Sequence, residues 1–364
     1  MTKLTDVCDI QYGYAFDSRC FSDDETYLPL IRIRDVKRGY SETFYNGDYP
    51  EEYIVHTGDL LVGMDGEFNI ARWKSRDALL NQRVCKIVEK KGVNGEYIRF
   101  FLSRALKEIE NRTAFVTVKH LSAKELNRIE LNLPSIEKQK KIAESLCKME
   151  NIITHRRTQL EKLDLLVKAR FVEMFGDCVS NNMNWDSKPM SEVAPSKPYK
   201  ESLEGNVWLL NLDMIEAQTG RIIDYLYVDK SEVGNSTSAF DEGNVLYSKL
   251  RPYLNKVVVP KQKGYATTEL VPLRPNDLLD REFLAYLLRS DNFVSYINEK
   301  VAGAKMPRVS MDVFREFKCI LPPLELQTQF ADFVKQVDKS KVAAQKALDE
   351  AQVLFDSLMQ EYFG

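Results

Sequence analysis

The sequence has few of the residues that catalytic and metal sites need. Only three of its 364 residues are histidines, His56, His120 and His155, and none has a histidine or cysteine at metal-ligand spacing. No Walker loop, Gly-x-Ser-x-Gly motif or Asn-Pro-Pro-aromatic tetrapeptide occurs. We therefore predict a protein that is not an enzyme and that holds no metal and no cofactor of its own.

Cysteine pairs and long apolar runs are also missing. The six cysteines are scattered without a Cys-x-x-Cys pair, which indicates reduced thiols in a cytoplasm rather than a disulfide framework or a zinc site. No stretch approaches the roughly 18 apolar residues of a membrane span, and the N-terminal MTKLTDVCDI lacks the apolar segment of a signal peptide. We expect a cytoplasmic protein with no membrane partner.

What the chain does contain is a long repeated stretch. LPSIEKQKKIAESLCKMENIITHRRTQLEKLDLLVKARFVEMFG, at 133–176, aligns without a gap with LPPLELQTQFADFVKQVDKSKVAAQKALDEAQVLFDSLMQEYFG, at 321–364. Each residue pairs with the one 188 positions later, as Leu133 does with Leu321. Proline near the start and glycine at the end are typical of helix boundaries.

Apolar residues in both copies recur at alternating spacings of four and three, interrupted only by Arg156 and Arg170 in the first copy and by Lys341 in the second. This pattern predicts two long helices that need a partner helix. We expect the two helices to pair as an antiparallel coiled coil within the chain. The predicted pair interface consists of Ile142, Leu146, Met149, Ile153, Leu160, Leu163, Val167, Phe330, Val334, Val337, Leu348, Phe355 and Leu358.

The sequence before each long helix predicts a mixed, strand-rich domain. Short apolar runs at 28–33, 60–62 and 84–88 are bounded by turn residues, as strands would be, and 96–111 has helical spacing. The second half repeats this plan, since 58–61 corresponds to 243–246 and 100–102 to 286–288. The predicted fold is α+β, a tandem duplication of a strand-rich domain followed by a long helix.

The duplication divides the chain into five predicted segments. The domains are 1–132 and 189–320, the long helices are 133–176 and 321–364, and the polar, asparagine-rich 177–188 is the linker. Two functions fit this plan. One is a protein whose two domains bind separate DNA half-sites at a distance fixed by the long helices. The other is a coiled-coil scaffold that joins two ligand-binding domains and does not bind DNA.

The duplicated plan resembles the specificity subunit of type I restriction–modification systems over essentially the full chain. The likeness depends on Leu-Pro-x-(Ile/Leu)-Glu-x-Gln at 133–139 and 321–327, on GDLLVGMDG at 58–66 and on LNQRV at 80–84. It implies two target-recognition domains, each of which reads one half of a split double-stranded DNA sequence. The helices would set the distance between the two domains. Unlike the fullest versions of the family, the chain begins almost directly at the first domain.

The resemblance also implies partners. Two modification subunits that bind S-adenosylmethionine and methylate adenine would dock on the helices, while the specificity subunit itself catalyses nothing. A restriction partner is left open, because stand-alone methylating complexes use the same subunit.

Base reading requires paired donors or acceptors, above all arginine on guanine and asparagine or glutamine on adenine. Phosphate contacts require lysine, arginine and small hydroxyls. Local basic segments supply the predicted DNA contacts Arg32, Arg34, Lys37, Arg72, Lys74, Arg76, Lys119, His120, Lys249, Arg251, Tyr253, Lys256, Lys305 and Arg308. The alternative interpretation of each charged residue is a surface charge in contact with solvent, and that of Tyr253 is a partly buried aromatic ring. Gln82 and Arg83 are either further readers or structural residues within a strand pattern.

Overall fold

The computed structural model describes residues 1–112, 120–301 and 306–364. The chain forms two compact units. Unit 1 consists of Met1–Arg157 together with Lys346–Gly364, and unit 2 consists of Thr158–Gln345. Each combines strands with helices, so the predicted mixture of α and β structure is confirmed. No helix in the described residues is long and apolar enough to cross a membrane.

Unit 1 is built from short strands and helices. Its strands are β1 (Thr2–Lys3), β2 (Cys8–Tyr12), β3 (Phe21–Ser22), β4 (Leu28–Ile31), β5 (Phe44–Tyr45), β6 (Ile54–Val55), β7 (Leu60–Gly63), β8 (Asn69–Arg72), β9 (Ala78–Leu80), β10 (Val84–Glu89) and β11 (Glu130–Leu131). Its helices are α1 (Leu4–Val7), α2 (Ile33–Arg38), α3 (Gly95–Arg112), α4 (Ala123–Leu126) and the first part of α5 (Ile136–Phe175).

The strands of unit 1 form a sheet of order β2-β10-β7-β8, a second of order β3-β5-β4-β9-β6, and the small pair β1-β11. Strand β7 pairs antiparallel with both β8 and β10, with Val62 opposite Ile70 and Cys85. The predicted strand at 28–33 is too long, because Ile33 begins α2. There the Asp35 carboxylate accepts the Arg32 N–H at 2.9 Å and so caps the helix start.

The core of unit 1 lies where α3 packs on the β2-β10-β7-β8 sheet. Phe100, Leu102 and Leu106 are fully buried there with Ile142 and Leu146 of α5. The C-terminal residues of the chain belong to this unit too, since Phe355 lies 6.1 Å from the Phe100 ring centroid. Full burial of each such side chain stabilises the fold by about 1.5–3 kcal/mol.

Unit 2 repeats this plan with different lengths. Its strands are β12 (Ser187–Pro189), β13 (Asn206–Leu210), β14 (Leu226–Asp229), β15 (Thr237–Phe240), β16 (Val245–Ser248), β17 (Val257–Val258), β18 (Gly264–Thr267), β19 (Leu270–Leu273) and β20 (Lys318–Ile320). Its helices are α6 (Met190–Val193), α7 (Arg281–Arg289), α8 (Asp291–Glu299), α9 (Met311–Glu316) and the first part of α10 (Leu324–Phe363), together with the end of α5. The sheet orders are β14-β13-β18-β15, β17-β16-β19 and β12-β20.

Aromatic rings dominate the core of unit 2. Phe175 lies 4.7 Å from Phe283 and 5.6 Å from Phe330, centroid to centroid, and all three side chains are fully buried. These contacts join the end of α5, helix α7 and the start of α10. Edge-on aromatic pairs of this kind add about 0.5–1.5 kcal/mol each beyond the area they bury.

The Leu-Pro-x-(Ile/Leu)-Glu-x-Gln stretch has the same structural role in both units. The buried Gln139 amide accepts the Asn94 N–H at 2.9 Å and donates to the Pro134 carbonyl at 2.8 Å. Gln327 accepts the Asp280 N–H at 2.8 Å and donates to the Pro322 carbonyl at 2.8 Å. Each glutamine therefore fixes the start of a long helix to the start of the helix that packs on the sheet.

The two long helices have matching ends. Gly176 follows α5 with a φ of +72° and donates its N–H to the Val172 carbonyl at 2.8 Å, a left-handed helix end that favours glycine. Gly364 likewise donates to the Gln360 carbonyl at 2.8 Å. The segment predicted as a linker, 177–188, forms hydrogen-bonded turns on unit 2, where Asn181 bonds to Trp185 and Cys178 is buried.

Every predicted helix-pair residue is buried or half-buried. Several of them contact a globular core, since Ile142 and Leu146 pack in unit 1 and Val167, Phe330, Val334 and Val337 pack in unit 2. The repeating apolar stripe therefore contributes to the cores of both units.

Candidate nucleic-acid interface

A surface at the end of strand β7 brings three chain segments of unit 1 together. Past the strand, the Met64 N–H donates to the Arg83 carbonyl at 2.8 Å, and the Leu121 N–H donates to the Met64 carbonyl at 2.7 Å. Asp65 and His120 form an isolated antiparallel bridge beside them. The turn between β9 and β10, which carries Arg83, therefore lies against the segment that carries His120.

Side chains on this surface form a charged cluster. Nη1 of Arg83 lies 3.5 Å from Oδ2 of Asp65 and 3.3 Å from Nδ1 of His120. The same ring nitrogen is within hydrogen-bond distance of Oδ1 of Asp65. The Arg83 side chain is 52% exposed and that of Asp65 only 22%, so the carboxylate supports a guanidinium that faces solvent.

The end of strand β16 in unit 2 has the same backbone arrangement. The Lys249 N–H donates to the Glu269 carbonyl at 3.0 Å, the Val309 N–H donates to the Lys249 carbonyl at 2.9 Å, and Leu250 bridges Arg308. Nη2 of Arg308 lies 2.8 Å from Oε1 of Glu269. The equivalent positions are therefore Arg83 with Glu269 and His120 with Arg308.

Part of the predicted basic set of unit 1 is exposed on and beside α2. Arg32, Arg34 and Lys37 all face solvent, and Lys37 forms an exposed ion pair with Glu67 at 3.4 Å. Lys74 is exposed as well and is held near this helix, because its N–H donates to the Gly39 carbonyl at 3.2 Å. All four are thus exposed basic residues on or beside α2.

Two other predicted contacts of unit 1 make structural bonds instead. Arg72 donates to the Glu96 carboxylate through Nε and to the Gly58 carbonyl through Nη1 at 2.7 Å. Arg76 donates to the Glu25 carbonyl and, at 2.8 Å, to that of Tyr27. These bonds fix loops and leave the two guanidinium groups less free to contact DNA.

The predicted residues of unit 2 also include both exposed side chains and a side chain that makes a structural bond. Arg251 and Tyr253 are exposed and Lys249 is half-buried, and the Arg251 N–H donates to the Pro307 carbonyl at 2.8 Å, next to Arg308. Lys256 instead donates to the Leu212 carbonyl at 2.6 Å, and burial lowers the pKa of its ammonium group despite the nearby Asp213. The predicted Lys119 and Lys305 lie outside the described residues.

Sequence reasoning missed the carboxylates Asp65 and Glu269, which support the arginines. Neither local motif distinguishes these carboxylates from other acidic residues. The sequence correspondence of 58–61 with 243–246 extends to 64–65 and 249–250, and it could have directed attention to the residues around each strand end. No group of three or more histidine, cysteine, aspartate or glutamate side chains within the described ranges could hold a metal ion.

A family model described as the type I restriction modification DNA specificity domain matches residues 1–163 and 213–351. The chain belongs to this family. The strand-end surface of each unit therefore lies within one of the two matched regions.

Individual relatives agree. The chain is 42% identical over 187 residues to the type I restriction enzyme EcoBI specificity subunit of Escherichia coli, a match that covers 51% of this chain and 40% of that protein. It is 23% identical over 345 residues to the MjaVIII specificity subunit of Methanocaldococcus jannaschii, covering 86% and 80% of the two chains. The first relative is thus matched over less than half of its length.

Among solved structures, the fold is similar to that of a type I restriction-modification system S subunit from M. genitalium. The TM-score is 0.61 at 14% identity, and the match covers 100% of this chain and 95% of that one. A second structure, from work on complex assembly and conformational transition of the type I restriction–modification system, gives a TM-score of 0.53 at 16% identity over 100% and 96%.

Proposed function

We propose that this chain is a non-catalytic specificity subunit that reads a bipartite DNA target and directs an adenine methyltransferase complex to it. The observation that carries the proposal is the repeated strand-end surface. It occurs once in each unit, in a chain that belongs to the DNA specificity family. A protein that reads two half-sites needs two such surfaces, whereas a scaffold needs neither.

In this proposal, 1–132 and 189–320 are the target-recognition domains, joined by the long helices 133–176 and 321–364, with 177–188 as the connection into the second domain. The repeated backbone pattern supports the division, because β1-β11 and β12-β20 are matching two-stranded pairs near the ends of the two proposed domains.

The two long helices are proposed to pair as an antiparallel coiled coil that spaces the reading domains. Support comes from contacts inside each unit. In unit 2, Phe171 lies 5.4 Å from Phe330 between ring centroids, and Nζ of Lys341 lies 2.6 Å from Oδ1 of Asp164. In unit 1, Arg157 donates to Gln352 at 3.4 Å. Residue numbers rise along one helix as they fall along the other, as antiparallel pairing requires.

Two methyltransferase subunits, which would bind S-adenosylmethionine, are the proposed partners of the helices. A partner that docks on the helices would bury large apolar side chains that are exposed on both of them. They are Ile152, Leu165, Leu166, Val172, Val342, Val353 and Leu354. Replacing Leu165 and Val172 by aspartate should weaken co-purification of the methyltransferase, whereas the same change at exposed Glu161 and Lys162 should not.

Sequencing of methylated bases in host cells with and without the gene tests the function. We expect one bipartite methylated motif to disappear on deletion and to return with a plasmid copy. Binding of the assembled complex to DNA with that motif should weaken steeply with salt, in proportion to its phosphate contacts. If no motif disappears and the complex shows no salt-dependent binding, the chain is a scaffold.

A further inference from the structure

The strand-end surface of each unit presents one half-exposed arginine supported by a less exposed carboxylate. In unit 1, Arg83 is 52% exposed and lies 3.5 Å from Asp65, which is 22% exposed. In unit 2, Arg308 is 57% exposed and lies 2.8 Å from Glu269, which is 19% exposed. The two sites thus match closely in exposure, although no residue type is shared at equivalent positions.

The arginine comes from a different segment in each unit. At the turn position, Arg83 in unit 1 corresponds to Glu269 in unit 2, since both carbonyls accept the N–H of the first residue after the equivalent strand. At the bridge position, His120 corresponds to Arg308. An arginine therefore lies on the equivalent surface of each unit, although it comes from a different chain segment. This indicates that the surface requires a guanidinium group.

Stability does not account for this arrangement. An ion pair between partly exposed side chains typically contributes little to the folding free energy. The backbone around Arg83 is also in an uncommon conformation, with a φ of +77°, and residues other than glycine that adopt it are concentrated at functional sites. Bonds from Gln82 N–H to the Tyr14 carbonyl and from Met64 N–H to the Arg83 carbonyl, both 2.8 Å, hold the turn in place.

The chemistry of the pair suits base recognition. An arginine has five N–H donors, and the carboxylate contact in each unit engages one terminal nitrogen, Nη1 of Arg83 or Nη2 of Arg308. The carboxylate, which is less exposed than the arginine, orients the remaining N–H donors of the guanidinium group. Two parallel donors match O6 and N7 of guanine, the base that arginine reads most often in the major groove.

We propose that Arg83 and Arg308 are the guanine-reading residues of the two half-sites, and that Asp65 and Glu269 are their positioning residues. The inference rests on the proposed DNA-reading function and deepens it, because it assigns one base type and one arginine to each half. Gln82, the neighbour of Arg83 in the same turn, is also exposed.

The test is the methylated motif of cells that carry Arg83→Gln, Arg83→Lys or Arg308→Gln in place of the native gene. Arg83→Gln should remove the requirement for one G·C pair in one half of the motif, with discrimination falling roughly 5- to 150-fold there, and leave the other half unchanged. Arg308→Gln should do the same in the other half. Arg83→Lys, which keeps the charge but not the fork, should also relax that base pair.

Asp65→Asn tests the positioning role, since it should partly relax the same base pair as Arg83→Gln. Matched controls are Arg19→Gln and Arg315→Gln, which remove other exposed arginines that pair with aspartate, one in each unit. Both controls should leave the motif unchanged.

Other results would overturn the inference. An unchanged motif with uniformly weaker methylation would mean that the arginines bind phosphate, and complete loss of methylation in both Arg83 variants would mean that they serve the fold or the assembly. In either case the wild-type bipartite motif would still support the proposed function. If the wild-type chain directs no bipartite methylation, the proposed function itself fails.

Discussion

Glu96 in unit 1 and Glu282 in unit 2 occupy the same place near the start of the helix that packs on the sheet, yet their electrostatics are opposite. Burial alone would raise the pKa of Glu96, but hydrogen bonds from Arg72 and Arg99 outweigh it and hold the pKa below its ordinary value. Burial raises the pKa of Glu282, and the opposing Arg281 and Arg289 do not compensate.

The difference shows which features the two units share and which features differ between them. Arg99, which also binds Glu150 at 2.7 Å, corresponds to Ala285 in unit 2. The buried glutamine contacts, the helix starts and the strand-end bridges are the same in both units, while the charges placed on them differ. Under the proposed function, units that share a backbone plan but differ in surface charge would read two different half-sites.

The largest expected difference concerns the aromatic cores. Phe175→Ala should lower the free energy of unfolding of unit 2 by about 3–5 kcal/mol, because the fully buried ring contacts Phe283 and Phe330. The equivalent Phe363→Ala should cost unit 1 less, about 1–3 kcal/mol, since Phe363 is only half-buried. Hydrogen exchange of core amides, read separately for each unit, checks this, and equal losses would contradict the comparison.

The buried glutamines should behave alike. Gln139→Ala and Gln327→Ala each remove the side-chain partner of a partly buried backbone N–H and of a backbone carbonyl, which should destabilise the corresponding unit by about 1–3 kcal/mol. Exchange of the first amides of α3 and α7 should increase. The exposed Lys138→Ala, on the same helix as Gln139, is the control and should have little effect. A loss confined to one unit would show that the shared motif has two different roles.

Glu96→Gln and Glu282→Gln should have smaller effects of opposite sign. At pH 7, Glu96→Gln should destabilise unit 1 by about 1–2 kcal/mol, because charge-assisted hydrogen bonds are lost. Since the folded pKa of Glu96 is depressed, its contribution is present above the unfolded pKa and is lost as pH falls through the folded pKa. The variant should therefore match the wild type in strong acid.

For Glu282 the folded pKa is raised, so burial of its charge costs stability above that pKa and the cost disappears as pH falls below the unfolded pKa. Glu282→Gln should therefore stabilise unit 2 slightly at pH 7 and have no such effect in acid. Exchange-derived stabilities at pH 7 and pH 4 provide the measurement. Destabilisation of both units at pH 7 would contradict the assigned electrostatics.

The mixed fold and the long helices could be predicted because both depend on apolar spacing, which is local in the sequence. The four-three stripe from Ile142 to Val167 indicated a helix, but it could not show that Ile142 and Leu146 also pack into the core of unit 1. That contact depends on residues of α3 that are distant in the chain.

The candidate interface was only partly predictable. Basic clusters marked the α2 surface and the 249–253 loop, because charge is visible in the sequence. The engagement of Arg72 with Glu96, and the support of Arg83 by Asp65, depend on strand register and on a turn with a positive φ. Neither of these can be inferred from residue spacing alone.

The measurement that most directly tests the central claim, that each half of the chain reads one half-site, is the methylated motif of a chimera. In it, residues 1–132 are replaced by the matching region of another family member, and the long helices are left intact. The account predicts that one half of the motif changes, while the other half and the spacing between them stay the same. A change in both halves, or in neither, would contradict it.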